Sequence, residues 1–323
     1  MNMYDKIFIL CPAFTVTGGT ELLHQLAQIL KDKGQNASMV YTSKYSNSIA
    51  EKVFGTRYSV NIATTVEDKE GNIVIAPESD IQKLLKYKKC QRSIWWMSVD
   101  NYKGSLKKNY DFKHRLYYKY VIDNIFRSIK STCIHFVQSR YAYEYLTAQR
   151  GITPSLVKYL SDYLNPVFIE TALKTTGQVR DDVVLYNPKK GATFTKKLIW
   201  LSPDLKWVPI QNMTAEQVTD LMLHSKVYVD FGNHPGKDRI PREAAICGCC
   251  IITGKRGSAF YEQDVEIPNC YKFDEDQNNQ IIGMLRECIH NYDERIKDFD
   301  AYRKKITRER DIFEQEVENA FLK

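Results

Sequence analysis

No stretch of this 323-residue chain approaches the ~18–20 uninterrupted apolar residues of a membrane-crossing helix. The opening MNMYDKIFILCPAF has a short apolar run. It lacks the cationic start and small-residue cleavage site of a secretory leader and reads as a first buried strand. The eight cysteines, at 11, 90, 133, 247, 249, 250, 270 and 288, show neither a disulfide framework nor the paired CxxC spacing of a zinc site. They read as reduced thiols packed as small hydrophobes in a cytosolic protein. Internal repeats and low-complexity tracts are missing as well. The composition is globular, with 43% hydrophobic and 26% charged residues, and the length is enough for two ordinary domains.

The chain alternates short apolar runs with helical patterns. Strands are expected at 6–11, 38–41, 72–77, 93–99 and 133–139, with helices after Gly18 and Arg140. Leu22, Leu23, Leu26 and Leu30 recur at helical spacing, and Gly34 supplies a stop. A polar stretch, ETALKTTGQVRDD, lacks periodicity and reads as a linker near 165–180. The alternation then restarts, with strands at 183–188, 206–210, 226–230 and 249–253 and helices at 192–201, 214–225 and 278–292. This order predicts two doubly wound, mostly parallel α/β domains facing each other across a cleft, a common place for ligands. The expected division is 1–168, 181–300, and a C-terminal helix over 301–323 that packs back on the first domain.

Residues 226–259, KVYVDFGNHPGKDRIPREAAICGCCIITGKRGSA, form a strand, loop, helix and strand. Pro241 suits a first helical position, where its missing N–H is an orphan anyway. Ligands of such units sit at the carboxyl ends of strands beside helix N-termini. Lys237 and Arg239 fall in that loop, and Lys190 in YNPKKG ends the first strand of the second domain. Two cations, free N–H groups and one carboxylate, Glu243, suit a phosphorylated sugar or nucleotide. Each also has a plainer reading: the cations as surface charge, and Glu243 as a helix cap or dipole partner. Gly18 and Gly19 follow the first strand, either as a tight turn or as a close backbone approach to a donor phosphate or an acceptor. Gly257 and Ser258 follow CCIIT with the same two readings.

In the first half, Asp100 follows SIWWMSV at a strand's carboxyl end. It is placed either to take a proton from an acceptor hydroxyl or to cap the next helix with Asn101. Trp95 and Trp96 point to opposite faces, one for the core and one able to stack on a sugar ring. Residues 103–130 interleave Lys103, Lys107, Lys108, Lys113, Arg115, Lys119, Arg127 and Lys130 with aromatics, within a chain of net charge +7. The segment reads as a solvated helix with inward aromatics or as a contact for an anionic membrane surface. No nucleic-acid recognition motif accompanies it. An acidic pair in FDED, Asp274 and Asp276, precedes a helix far from the basic loop and reads as cap residues rather than a metal site.

Four segments, GGTE (18–21), WWMSVDN (95–101), YNPKKG (186–191) and PGKDRIPREAAICGCCIITGKRGSA (235–259), resemble glycosyltransferases of the two-domain GT-B type. The chain is most similar to the family 4 group and its bacterial surface-polysaccharide relatives. The resemblance implies a metal-independent, retaining transfer of a hexosyl group from a nucleotide-sugar donor to a saccharide or lipid-linked acceptor, with no cofactor. The reduced thiols place the protein in the cytoplasm, and the membrane reading of 103–130 would set it at the inner membrane face, where lipid-linked acceptors lie. The resemblance gives Lys190 with Arg239 or Lys237 the departing diphosphate and Glu243 the ribose. Gly18, Gly19, Asn187, Gly257 and Ser258 line the donor, with Asp100, Arg239 and Lys190 the catalytic set. The family signature has another glutamate eight positions before Glu243, where this chain has Pro235; His234 and Asp238 are the nearby substitutes. The alternative is a non-catalytic glycan or nucleotide binder on the same fold.

Overall fold

The computed structural model describes residues 3–42, 48–105, 116–175 and 177–322. The chain divides into two compact units. Met1–Asp162 with Asp311–Lys323 make the first, and Tyr163–Arg310 the second.

The first unit is built on a seven-stranded sheet. Its strands are β1 (Ile7–Pro12), β2 (Ala37–Thr42), β3 (Asn61–Ile62), β4 (Ile73–Pro77), β5 (Gln91–Trp96), β6 (Ile134–Val137) and β7 (Val157–Tyr159). All pairings are parallel, in the order β3-β2-β1-β4-β5-β6-β7. β4 is buried along its whole length, as expected of a strand covered on both faces. The order runs outward one way from β1 and then the other way from β4, so the loops after β1 and β4 diverge. That reversal is the switch point where an open α/β sheet leaves a crevice at its carboxyl edge.

The second unit repeats the plan with five parallel strands, β8 (Asp181–Tyr186), β9 (Lys206–Pro209), β10 (Ser225–Asp230), β11 (Cys250–Gly254) and β12 (Lys272–Phe273). Their order, β12-β11-β10-β8-β9, puts the reversal between β8 and β10. Opposite that edge, Arg180 donates to the carbonyls of Ser225 (2.7 Å), Met222 (3.2 Å) and Cys247 (2.5 Å). One guanidinium thereby joins two helix ends to the start of β10.

Several expectations change. The stretch expected as a linker begins in a helix, Pro166–Lys174, with Ala172 buried and Phe168 and Ile169 packed against the core. Its sparse apolar residues suffice because only one side meets the core. The fourth expected strand, 93–99, ends at Trp96, and Val99 already starts a helix. Both Trp95 and Trp96 are fully buried, so neither is open to a sugar. Trp95 Nε1 donates to Leu160 O (2.9 Å) and Trp96 Nε1 to His135 Nδ1 (3.1 Å), which satisfies each indole inside the core. The short strands β3, β7 and β12 escape the pattern because two or three residues carry no periodicity. All eight thiols are free, seven of them buried.

Candidate functional site

At the carboxyl edge of the second sheet, three adjacent strands deliver their loops to one place. The turn after β8 contains Gly191 at φ +59, where a Cβ would lie 2.5 Å from the Phe231 carbonyl of the loop after β10. The turn after β11 contains Gly257 at φ +55, and a Cβ there would fall 2.0 Å from His234 O. Only glycine adopts such a backbone at such a distance. Ser258 completes the junction, its N–H donating to His234 O (2.9 Å) and its buried hydroxyl to Gly236 O (2.6 Å).

Charge is concentrated in this junction. Lys190 Nζ lies 2.8 Å from Asp238 Oδ1. His234 Nδ1 lies 2.9 Å from Asp238 Oδ2, close but not aligned as a hydrogen bond. Asp230 ends β10 and accepts from Tyr228 Oη (3.1 Å) and Gly232 N (2.9 Å). Burial alone would lower the His234 pKa, yet Asp238 and Asp230 outweigh it and hold the imidazole above its ordinary value. Burial would likewise raise Asp238, but His234 and Lys190 hold it below the ordinary carboxylate value. Asp230, His234 and Asp238 form the one group of metal-type ligand atoms within 4.8 Å of each other among the described residues. Lys190 already supplies a positive charge to Asp238, so a cation entering there would meet a resident ammonium.

Arg239 opens the helix Arg239–Ile246, two residues before the expected start, and is half-buried. Pro241 is thus the third helical residue, still within the turn whose N–H groups lack intrahelical partners. Glu243 follows Arg239 by one turn on the same helix and is half-buried. Asn187 shapes the turn after β8, its Oδ1 accepting from Lys189 N (2.9 Å) and its carbonyl from Lys190 N (3.1 Å). The next helix, Ala192–Leu201, has Gly191 as its N-cap and no side-chain cap, so its first N–H groups lack a capping side chain. Asn187, Lys190, Arg239, Gly257 and Ser258 therefore gather on one edge. Lys237 does not present its ammonium there: it lies 2.8 Å from Glu309 Oε1 and is 10% exposed. Glu309 also takes Arg242 NH1 at 2.6 Å, and both side chains are buried. Sequence reading singled out neither Arg242 nor Glu309. An arginine just after a helix-starting proline was a usable signal for the first, and no local pattern marks the second.

Gly18, Gly19 and Asp100 belong to the first unit. Gly18 and Gly19 are the first residues of the helix Gly18–Asp32, capped by Thr17 through a reciprocal capping box with Thr20. Neither has a positive φ, so the turn reading gives way to an ordinary capped helix start. A Cβ on Gly19 would meet nothing closer than Met97 Cε at 3.7 Å. Asp100 accepts from Tyr141 Oη (2.5 Å). Its alternative as a cap is filled by Ser98, whose Oγ accepts from Asn101 N (3.2 Å).

The carboxylate that sequence reading passed over is Glu78, which follows β4 at the switch point. It is buried, and its Oε2 accepts from Met97 N (3.1 Å). Burial raises its pKa from 4.5 to about 7, against the pull of that backbone donor. A carboxyl raised in the folded state binds a proton the unfolded chain has released. Its contribution to stability is therefore complete below about pH 4.5 and lost as pH rises through about 7. The difference corresponds to about 3 kcal/mol. Urea unfolding of the first unit should weaken by that amount from pH 4.5 to 8 in the wild type relative to Glu78→Gln. Parallel curves for the two proteins would contradict it.

Of the basic segment, residues 106–115 lie outside the described residues, taking Lys107, Lys108, Lys113 and Arg115 with them. Within the rest, Arg127 pairs with Asp123 (2.8 Å), Lys130 Nζ donates to Arg150 O (2.6 Å) and Lys103 Nζ to Tyr141 Oη (3.2 Å). Tyr102 and Phe126 are core residues, whereas Leu116, Tyr120 and Val121 are exposed. Among the described residues no helix is long and apolar enough to cross a membrane.

No family model matches the chain, and no curated protein matches it in sequence. Solved structures do. Anabaena HepE, determined with UDP-glucose, aligns over 98% of this chain and 99% of its own at 12% identity and TM-score 0.62. Sucrose-phosphate synthase from Thermosynechococcus elongatus aligns over 98% of each chain at 11% identity and TM-score 0.65. WaaG, a glycosyltransferase involved in lipopolysaccharide biosynthesis, aligns over 98% of each at 13% identity and TM-score 0.57. The likeness is one of fold: two parallel α/β units of the GT-B type.

Proposed function

We propose that the protein is a glycosyltransferase that moves a hexosyl group from a nucleotide-sugar donor to a saccharide or lipid-linked acceptor in surface-polysaccharide synthesis. One observation carries the reading. Lys190 and the start of the Arg239–Ile246 helix meet at the switch point of the second sheet. Breaking the sugar–phosphate bond builds negative charge on the departing diphosphate. Lys190 meets it as a point charge, Arg239 with a planar fork, and the uncapped Ala192–Leu201 helix with backbone N–H groups. These cations do the work a metal would otherwise do. Glu243 takes the ribose hydroxyls, and Gly257 and Ser258 border the sugar. Asp100 serves the acceptor side as proton acceptor, and the backbone at Gly18 and Gly19 approaches a donor phosphate or the acceptor. Transfer with retention fits the family likeness. The fold is shared with proteins such as HepE, whose solved complex contains UDP-glucose.

Calorimetric titration with a panel of UDP-, GDP- and dTDP-sugars, followed by nucleotide release with added acceptors, tests the proposal. No binding of any nucleotide or nucleotide sugar at millimolar concentration would falsify it. A non-catalytic binder is the second reading, favoured by Pro235 at the usual glutamate position and by Asp238 engaging Lys190. Binding without consumption of any donor, in a protein whose Arg239→Ala variant still folds, selects that reading. Peripheral attachment to an anionic bilayer is proposed through the 103–130 segment, where Leu116, Tyr120 and Val121 are exposed. Flotation with phosphatidylserine vesicles is expected for the wild type and reduced for Tyr120→Ser; equal flotation on neutral vesicles contradicts it.

A further inference from the structure

The loop that brings Asp238 to Lys190 has no cap of its own, because Asp238 stands at the N-cap of the Arg239–Ile246 helix without a side-chain bond to it. Arg242 holds it instead. Its Nε donates to Asp238 O (3.1 Å) and its NH2 to Lys237 O (3.0 Å). Its NH1 is fixed by Glu309 Oε2 at 2.6 Å, and the other oxygen of Glu309 holds Lys237 Nζ at 2.8 Å. Arg242 is 1% exposed and Glu309 2%. The loop is thus gripped twice by one distant carboxylate, through its backbone by way of Arg242 and through its lysine directly.

We propose that Glu309 is a positioning residue for the donor-site charges. Acting through Arg242, it fixes the Lys237–Asp238 backbone and so sets the place of Asp238 against Lys190. The consequence for nucleotide affinity rests on the donor-site reading above; the positioning itself does not. Electrostatics and positioning make opposite predictions. Removing a buried negative charge should by itself tighten the binding of an anion. Loss of the grip should weaken it, because a misplaced charge-assisted hydrogen bond lowers affinity by about 10-fold or more.

Glu309→Gln keeps the side chain's shape and removes the charge. Arg242→Lys keeps the charge and removes the fork, and carries the test if the first variant fails to fold. In the ligand-free full-length proteins, amide exchange is expected to quicken at 237–239 and in the 187–191 turn while the strands of the same sheet stay protected. Exchange that is unchanged, or that rises evenly across the unit, overturns the proposal, since a merely stabilising ion cluster gives the even rise. Titrations with UDP and with GDP, run well below the melting transition, are expected to show affinity reduced about 10-fold. Unchanged or tighter binding overturns the link to the ligand. If the wild type binds no nucleotide or nucleotide sugar of the panel above, the donor reading fails, and the exchange pattern still decides the positioning role.

Discussion

Lys190→Ala is expected to slow sugar transfer by about 10²–10³-fold, the usual loss when one fixed donor to a developing anion is removed. The lysine sits at the switch point with its ammonium on Asp238, 30% exposed. It is therefore ordered before any ligand arrives and still reachable from solvent. Preorganisation of this kind stabilises charge in the transition state without rearrangement, so the loss should fall on kcat more than on KM. The thermal melt should move little, because a partly exposed pair contributes little to stability, and Asp238 keeps His234 as a partner. The rate is to be measured as nucleotide release with whichever donor the titrations identify. A variant within threefold of the wild type would remove Lys190 from the chemistry.

Gly257→Ala carries the largest expected effect on the fold of the second unit. The left-handed backbone costs alanine about 1–2 kcal/mol. The added Cβ would lie 2.0 Å from His234 O, and forced repacking of that kind costs about 1–3 kcal/mol more. A loss of about 2–5 kcal/mol is therefore expected, read as a lower denaturation midpoint for the second unit. Gly19→Ala is the matched control, with 3.7 Å to its nearest neighbour and an ordinary helical backbone. A Gly257→Ala protein as stable as Gly19→Ala would show that the junction of the three loops adapts freely.

Legibility in the sequence followed the range of the interactions. Long apolar runs such as VVLY and KVYVD became β8 and β10 because burial on both faces of a parallel sheet demands them. The glycines of KKGA and KRGS could be placed on strand-end turns, and Lys190 beside them. Strand order was not legible, since it depends on which strands pair, and neither switch point could be named before the topology was known. The fate of individual charges was also hidden. Lys237 and Arg239 look alike in PGKDRIP. What separates them is Glu309, some seventy positions away, which engages Lys237. Glu78 was missed for a related reason: a single acid after an apolar run looks like any loop residue until its burial is seen.

The first unit closes only when the end of the chain returns to it. Trp95 stacks on Phe313 at 6.3 Å, Phe136 packs against Phe321, and Ser161 donates twice to Glu316, each at 2.7 Å. During synthesis most of Tyr163–Arg310 leaves the ribosome before these partners do. The first unit therefore stays incomplete through nearly all of synthesis and presents bare indole and phenyl surface, a state that attracts chaperones and invites aggregation. A chain ending at Arg310, held on the ribosome by a linker long enough to clear the exit tunnel, should show a finished second unit beside an unfinished, protease-sensitive first one.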